Sequence, residues 1–208
     1  RFGLGVLQSL LVYSLVVILG LILHVAFTYT AAIRFLARRG PMDFFRRIRE
    51  AQLIAFSTSS SNATLPVSME VAEEKLDIEK EVASFVLPLG ATINMDGTAL
   101  YQAVATMFIA QVLVGDISFT AQFGIVLTAT LASIGAAGVP SAGIIILVVV
   151  LEQALAGTGV DPAAGIALVL GVDRLLDMCR TAVNVTGDLT AAAVIERSEY
   201  DYALKHGS

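Results

Sequence analysis

Asp173, Asp177, Arg180, Thr181, Asn184 and Asp188 recur at helical spacing in "DRLLDMCRTAVNVTGD". At about 100° per residue they fall, with Arg174, within an arc of about 120° on one helix. Carboxylate, guanidinium, hydroxyl and amide groups on one stripe support three kinds of chemistry. They can lock helices together through ion pairs, Asp177 with Arg180 or Arg174. Two aspartates can share a proton around a water, Asp96 with Asp177 or Asp188, as in an intramembrane aspartyl protease. Or the stripe can bind a charged solute. With Asp96, the carboxylates outnumber Arg174 and Arg180. Uncompensated carboxylates in a low-dielectric site turn neutral unless cations accompany them.

Hard cations take several oxygen ligands: carboxylates, amides and carbonyls. The stretch "GATINMDGTALY", residues 90–101, offers Thr92, Asn94 and Asp96. Its glycines are expected to loosen a helix so that carbonyls turn toward an ion. Asn184 and Asp188 lie about one turn apart and add two more oxygens, with sodium the natural ion. Arg180 then calls for an anion, since guanidinium grips carboxylate in a bidentate fork. Asp177, about a turn away, can accept an ammonium group. A cationic fork beside an anionic acceptor describes a zwitterion site. A protease would leave the asparagines, the arginine and a serine-rich segment without purpose.

The elements that must position these groups are mostly apolar. The chain has 208 residues, 56% hydrophobic and 15% charged, with mean hydropathy +0.80. Soluble domains carry about a quarter charged residues, so a membrane protein is indicated. A span needs roughly 20 apolar residues. Residues 4–33 supply such a run, with Gln8 and His24 as its strongly polar members. It ends in the arginine-rich "RFLARRGPMDFFRRIRE", which places that end on the cytoplasmic side. Further apolar stretches cover residues 82–114, 123–156 and 163–195.

Two segments read as hairpins. A short apolar stretch at 53–56 meets "STSSSN" and restarts at Thr64-Leu65-Pro66. This suits a hairpin dipping into the membrane and turning at the serines, or else a serine-rich surface loop. The glycines and proline of "SIGAAGVPSAG" interrupt the 123–156 stretch and favour two short arms over one span. Paired broken segments point to a binding site in secondary transporters. The polar tail "ERSEYDYALKH" is expected to follow the last helix. No P-loop and no basic, aromatic-interleaved patch occurs, which gives no support to ATP-driven transport or nucleic-acid binding. The lone Cys179 forms no internal disulfide.

At these residues the chain resembles the dicarboxylate/amino acid:cation symporter family, the glutamate and neutral amino acid transporters. The resemblance covers about residues 11–199. It rests on "TSSSNATLP", "GATINMDGTALYQ", "ASIGAAGVPSAG" and "DRLLDMCRTAVNVTGD", in that order. It implies an all-α membrane protein with three transmembrane helices and two re-entrant helical hairpins, the transport-domain portion of an elevator transporter. Residues 1–208 would form a partial transport domain: helix 1–39, hairpin 42–70, broken helix 80–115, gating hairpin 121–156 and helix 162–197. The family's scaffold and trimer interface would lie outside this C-terminal half, in missing sequence or in partner chains.

The resemblance places substrate contacts at Ser61, Thr98, Val139, Gly143, Asp177, Arg180, Thr181 and Asn184. One Na+ site would use Gly90, Asn94, Asn184 and Asp188. A second would use carbonyls of Thr92, Met95, Ser133, Ile134 and Ala136. A third would use Asn94 and Asp96, completed by a helix outside the chain. Arg180 favours an acidic side chain, Asp188 favours sodium over protons, and Gln102 argues against potassium antiport. Ser59 and Met178 stand where some members carry an extra arginine, for which Arg174 would substitute. The implied function is sodium-coupled symport of L-aspartate or L-glutamate by a homotrimer in the plasma membrane (the inner membrane in a bacterium), not enzymatic and without nucleic acid. A neutral amino acid or C4-dicarboxylate substrate, or proton-coupled glutamate transport, are the alternatives. A passive channel would instead show substrate-independent ohmic conductance.

Overall fold

A computed structural model describes residues 4–206, and among them every regular element is a helix. The first, α1, runs over Leu4–Leu23 and continues through π-helical turns at His24–Tyr29 and Ala32–Leu36. Tyr13, Val17 and Leu21, four residues apart, are buried, whereas Leu11, Leu15, Leu19 and Ile22 face outward. One seam of this apolar helix therefore meets protein, and the rest suits hydrocarbon.

The next helices, α2 (Pro41–Arg47) and α3 (Arg49–Thr58), lead to a turn at Ser59, whose φ of 54° is left-handed. Ser60 then caps α4 (Ser61–Glu70, continuing at Val71–Lys75), its Oγ accepting the Ala63 N–H at 3.1 Å. The turn falls within the serine run, and α3 packs on α4. A second helix pair, α7 (Phe119–Ser133) and α8 (Ala142–Ala154), flanks an irregular segment at residues 134–141. Both helices are shorter than a membrane span. Between the two pairs lie α5 (Lys80–Ile93) and α6 (Asp96–Val114).

The last helix, α9 (Pro162–His206), is 45 residues long and packs on α1, α3, α4, α5, α6 and α8. Leu176, Val185, Leu189, Ala192 and Ala193 on α9 are buried in the apolar clusters around it. Among the described residues two stretches are long and apolar enough to cross a membrane, Leu7–Leu36 and Lys80–Val114. Helix α9 is long enough, but its charged stripe lowers its hydropathy; that stripe is buried on protein rather than turned to lipid.

Three expectations need correction. The polar tail after residue 195 continues α9, supported by the Arg197–Asp201 pair at 2.7 Å and by Tyr202 stacked on His206. Arg174 is exposed and stands apart from the buried stripe, so it cannot substitute for an arginine in the site. Glycine is not what breaks the helix in "GATINMDGT". Gly90 lies inside α5 and Gly97 inside α6, while the non-helical residues are Asn94 (φ −94°, ψ 68°) and Met95 (φ −105°, ψ 45°). The glycines instead let α9 come close: a Cβ on Gly90 would lie 2.6 Å from Asp188 Oδ1, and one on Gly97 2.7 Å from the Arg180 carbonyl.

Candidate functional site

Arg180 and Asp177 are buried, each 2% exposed, and meet through two bonds. Arg180 Nε and Nη2 donate to Asp177 Oδ1 at 3.0 and 2.8 Å. The other Asp177 oxygen accepts the Ser141 N–H at 2.8 Å, tying the α7–α8 connection to α9. The face of the Tyr101 ring lies 4.6 Å from the guanidinium, and Tyr101 Oη donates to Asp173 at 2.7 Å. Asp173 thus holds Tyr101 while Tyr101 carries Arg180. That leaves Arg180 Nη1 buried with no hydrogen-bond partner among the described residues, against Gly143, where a Cβ would overlap the guanidinium. An orphaned buried donor is costly, so one on a guanidinium marks a place for an acceptor.

The cavity at that donor is lined by Ser61, Thr98, Val139, Gly143, Asp177, Arg180, Thr181 and Asn184. All the expected substrate residues therefore share one space. Ser59 lines it too, and its buried Oγ is also without a partner among the described residues. The cavity holds only about 20 Å³, room for about one water. Its walls come from α4, α6, α9 and the α7–α8 connection. The two turns meet: Ser60 Oγ and the Asn62 N–H both donate to the Gly138 carbonyl, at 2.6 and 3.1 Å.

The cation ligands expected from the sequence divide. Gly90, Asn94 and Asp188 come together, with Asn94 Nδ2 donating to Asp188 Oδ1 at 2.9 Å. The Asn184 side chain is committed elsewhere: its Oδ1 accepts the Gly97 N–H at 2.8 Å, and its Nδ2 donates to Thr98 Oγ1 at 3.0 Å and contacts Met95 Sδ at 3.2 Å. It bridges α6 and α9 beside the cavity. Among the expected carbonyl ligands, Thr92 meets the end of α7 through its bond from the Gly135 N–H at 3.1 Å, and the Ser133 carbonyl accepts the Ala136 N–H at 3.0 Å. Met95, Ser133 and Ile134 line a second cavity of about 590 Å³ with Asn94 and Asp96, whereas Ala136 faces the smaller one. Among the described residues no group of three His, Cys, Asp or Glu side chains is placed to hold a metal.

Gly97 sets the distance between these two halves of the site. A Cβ there would lie 2.7 Å from the Arg180 carbonyl and 2.8 Å from Asn184 Oδ1. Backbone cannot step aside as a flexible side chain can. Gly97→Ala is therefore expected to destabilise the protein by about 1–3 kcal/mol, read as a lowered melting temperature, and to weaken ligand binding in parallel.

The wheel places the α9 stripe, but His24, Tyr29 and Tyr101 are met only in the fold. His24 Nε2 and Tyr29 Oη both contact Asp96 Oδ2. His24 left one signal, a polar residue inside an apolar run; Tyr29 and Tyr101 left none. Gln102 is fully buried, and its amide finds no partner among the described residues.

The model of the sodium:dicarboxylate symporter family matches residues 1–198. The chain belongs to this family. Among similar proteins, a Caenorhabditis elegans protein whose name describes a sodium-dependent excitatory amino acid transporter is 47% identical over 201 residues, covering 97% of this chain and 39% of that protein. Human excitatory amino acid transporter 5 is 47% identical over 183 residues, 88% of this chain and 32% of its own length. Excitatory amino acid transporter 1 of Ambystoma tigrinum is 45% identical over 184 residues, 88% and 33% respectively. The chain thus spans between about a third and two fifths of these relatives. As a member of a symporter family it is an integral membrane protein, which accounts for the outward apolar faces of α1 and α7. Membership also turns the paired aspartates away from protease chemistry: Asp177 is held by Arg180 and Asp188 by Asn94.

Proposed function

We propose that this protein works in sodium-coupled symport of an acidic amino acid, L-aspartate or L-glutamate. The observation that carries the reading is the buried, unpartnered Nη1 of Arg180 in a cavity that also presents the Asp177 carboxylate. Arg180 receives the side-chain carboxylate of the substrate, Asp177 its ammonium group, and the serine turn at the head of α4 its main-chain carboxylate. A helix N-terminus suits that last role because its N–H groups point at the anion. Asn94, Asp96 and Asp188, with carbonyls from the break between α5 and α6 and from the end of α7, hold sodium. The C. elegans relative is named for sodium-dependent excitatory amino acid transport and the human one for excitatory amino acid transport, which supports the same assignment.

On this reading α1, the α5–α6 pair and α9 span the plasma membrane, while α3–α4 and α7–α8 are re-entrant hairpins. The whole acts as part of an elevator transport domain in a homotrimer. An amino acid does not fit into about 20 Å³, so the segment at 134–141 must swing out to admit it. Few bonds hold that segment: Ser141 to Asp177, Gly138 to the serine turn and Gly135 to Thr92. Substrate bound at Arg180 and Asp177 competes directly for the first of these.

Isothermal titration of L-aspartate into the purified protein tests the assignment. Heat of binding is expected in sodium chloride and not in choline chloride. Binding of alanine or succinate in place of aspartate would move the substrate to the neutral or dicarboxylate class. Aspartate binding that ignores sodium but follows pH would replace sodium with a proton.

A further inference from the structure

His24 and Tyr29 are five residues apart, a spacing that an α-helix spreads about 140° around its axis. The π-helical stretch His24–Tyr29, with its wider turn, brings both to one side. Both reach the same atom. His24 Nε2 lies 2.8 Å from Asp96 Oδ2, and Tyr29 Oη donates to that oxygen as well. Facing a carboxylate, which only accepts, His24 Nε2 is the donor in the tautomer that carries its proton there. The rings of His24 and Tyr29 brace each other edge to face, 4.7 Å between centroids. The other Asp96 oxygen accepts the Gly97 N–H at 3.1 Å.

The surroundings give this clamp a purpose. Asp96 borders the cavity of about 590 Å³ and keeps 31% of its side-chain surface exposed, so without the two donors only the bond from the Gly97 N–H would hold it. Tyr29 is 5% exposed and sits where α9 comes nearest. A Cβ on Gly187 would lie 2.5 Å from both Tyr29 Oη and Asn94 Nδ2, and Tyr29 Oη is 3.3 Å from the Val183 carbonyl. The hydroxyl therefore lies among Asp96, Asn94 and the α9 backbone next to Asp188.

We propose that His24 and Tyr29 are positioning residues: the π turn of α1 clamps the Asp96 carboxylate beside Asn94 and thereby sets the sodium affinity of the site. The inference rests on the sodium-coupled reading above. Neither residue is required as an ion ligand; they spare the carboxylate the ordering that binding would otherwise demand. Freezing one mobile side chain costs a free energy equivalent to a factor of about three to ten in affinity.

The test is the sodium dependence of thermal stability of the purified protein without amino acid, with choline holding ionic strength constant. Tyr29→Phe keeps the ring and loses the donor. His24→Gln keeps an N–H donor, and His24→Leu removes it. Tyr29→Phe and His24→Leu are expected to raise the half-maximal sodium concentration about three- to tenfold, with His24→Gln near wild type and melting in choline little changed. A wild-type sodium midpoint in Tyr29→Phe overturns the clamp, as does a His24→Gln midpoint equal to that of His24→Leu. Should His24→Leu fail to fold, Tyr29→Phe decides alone. If sodium does not stabilise the wild-type protein at all, the sodium-coupled reading itself falls, a result distinct from failure of the clamp.

Discussion

Arg180→Ala is expected to weaken sodium-dependent aspartate binding by about a hundredfold or more. The guanidinium offers a charged fork in a cavity that holds about one water, so little solvent competes for it. Charge-assisted hydrogen bonds contribute about 1.5–3 kcal/mol each, and each 1.4 kcal/mol is about a factor of ten. Truncation also strands Asp177, which is 2% exposed and receives two bonds from Arg180. Arg180→Lys should recover little, because a single ammonium cannot reproduce the guanidinium's fixed fork of donors while also meeting the Tyr101 ring. Titration of aspartate, glutamate and a neutral amino acid into both variants checks this. The acidic pair should lose far more than the neutral one. Equal loss for all three would mean that Arg180 only supports the fold, and the substrate class would have to be reassigned.

Asp188→Asn is expected to raise the sodium concentration for half-maximal aspartate binding by about tenfold or more. The substitution preserves volume at a site where Asp188 is 4% exposed and pressed against Gly90. It removes the charge and gives Asn94 Nδ2 an amide partner in place of the carboxylate that accepts it at 2.9 Å. The ion placed at Gly90, Asn94 and Asp188 then loses its one carboxylate and meets only amide and carbonyl oxygens. Aspartate affinity should approach wild type only at saturating sodium, the pattern of a lost ion site and not of a lost substrate contact. An unchanged sodium midpoint would remove Asp188 from the ion's surroundings.

Local features of the sequence carry much of this picture. The stripe from Asp173 to Asp188 follows from helical period alone, since a charged face on a membrane helix must turn toward protein. The serine turn was legible because polar residues interrupt an apolar run, and the α7–α8 connection because glycine and proline cannot continue a helix. Arg174 shows the limit of the helical wheel. It lies at the edge of the arc, and only the packing of α9 against its neighbours turns it outward while Asp173 turns in.

Which residues are polar, which face of a helix they share and where helices must end are readable from the chain alone, because these depend on neighbours a few positions away. Tertiary structure decided which of those groups meet. Tyr29 and Asp96 are 67 residues apart and Asn94 and Asp188 are 94 apart. The π turn that aligns His24 with Tyr29, the Tyr101 ring beneath Arg180 and the closeness permitted by Gly90 and Gly97 all follow from how α1, α5 and α6 settle on α9. No periodicity encodes such distances: they are set by the joint packing of several helices, and a polar group finds its partner only once that packing is complete.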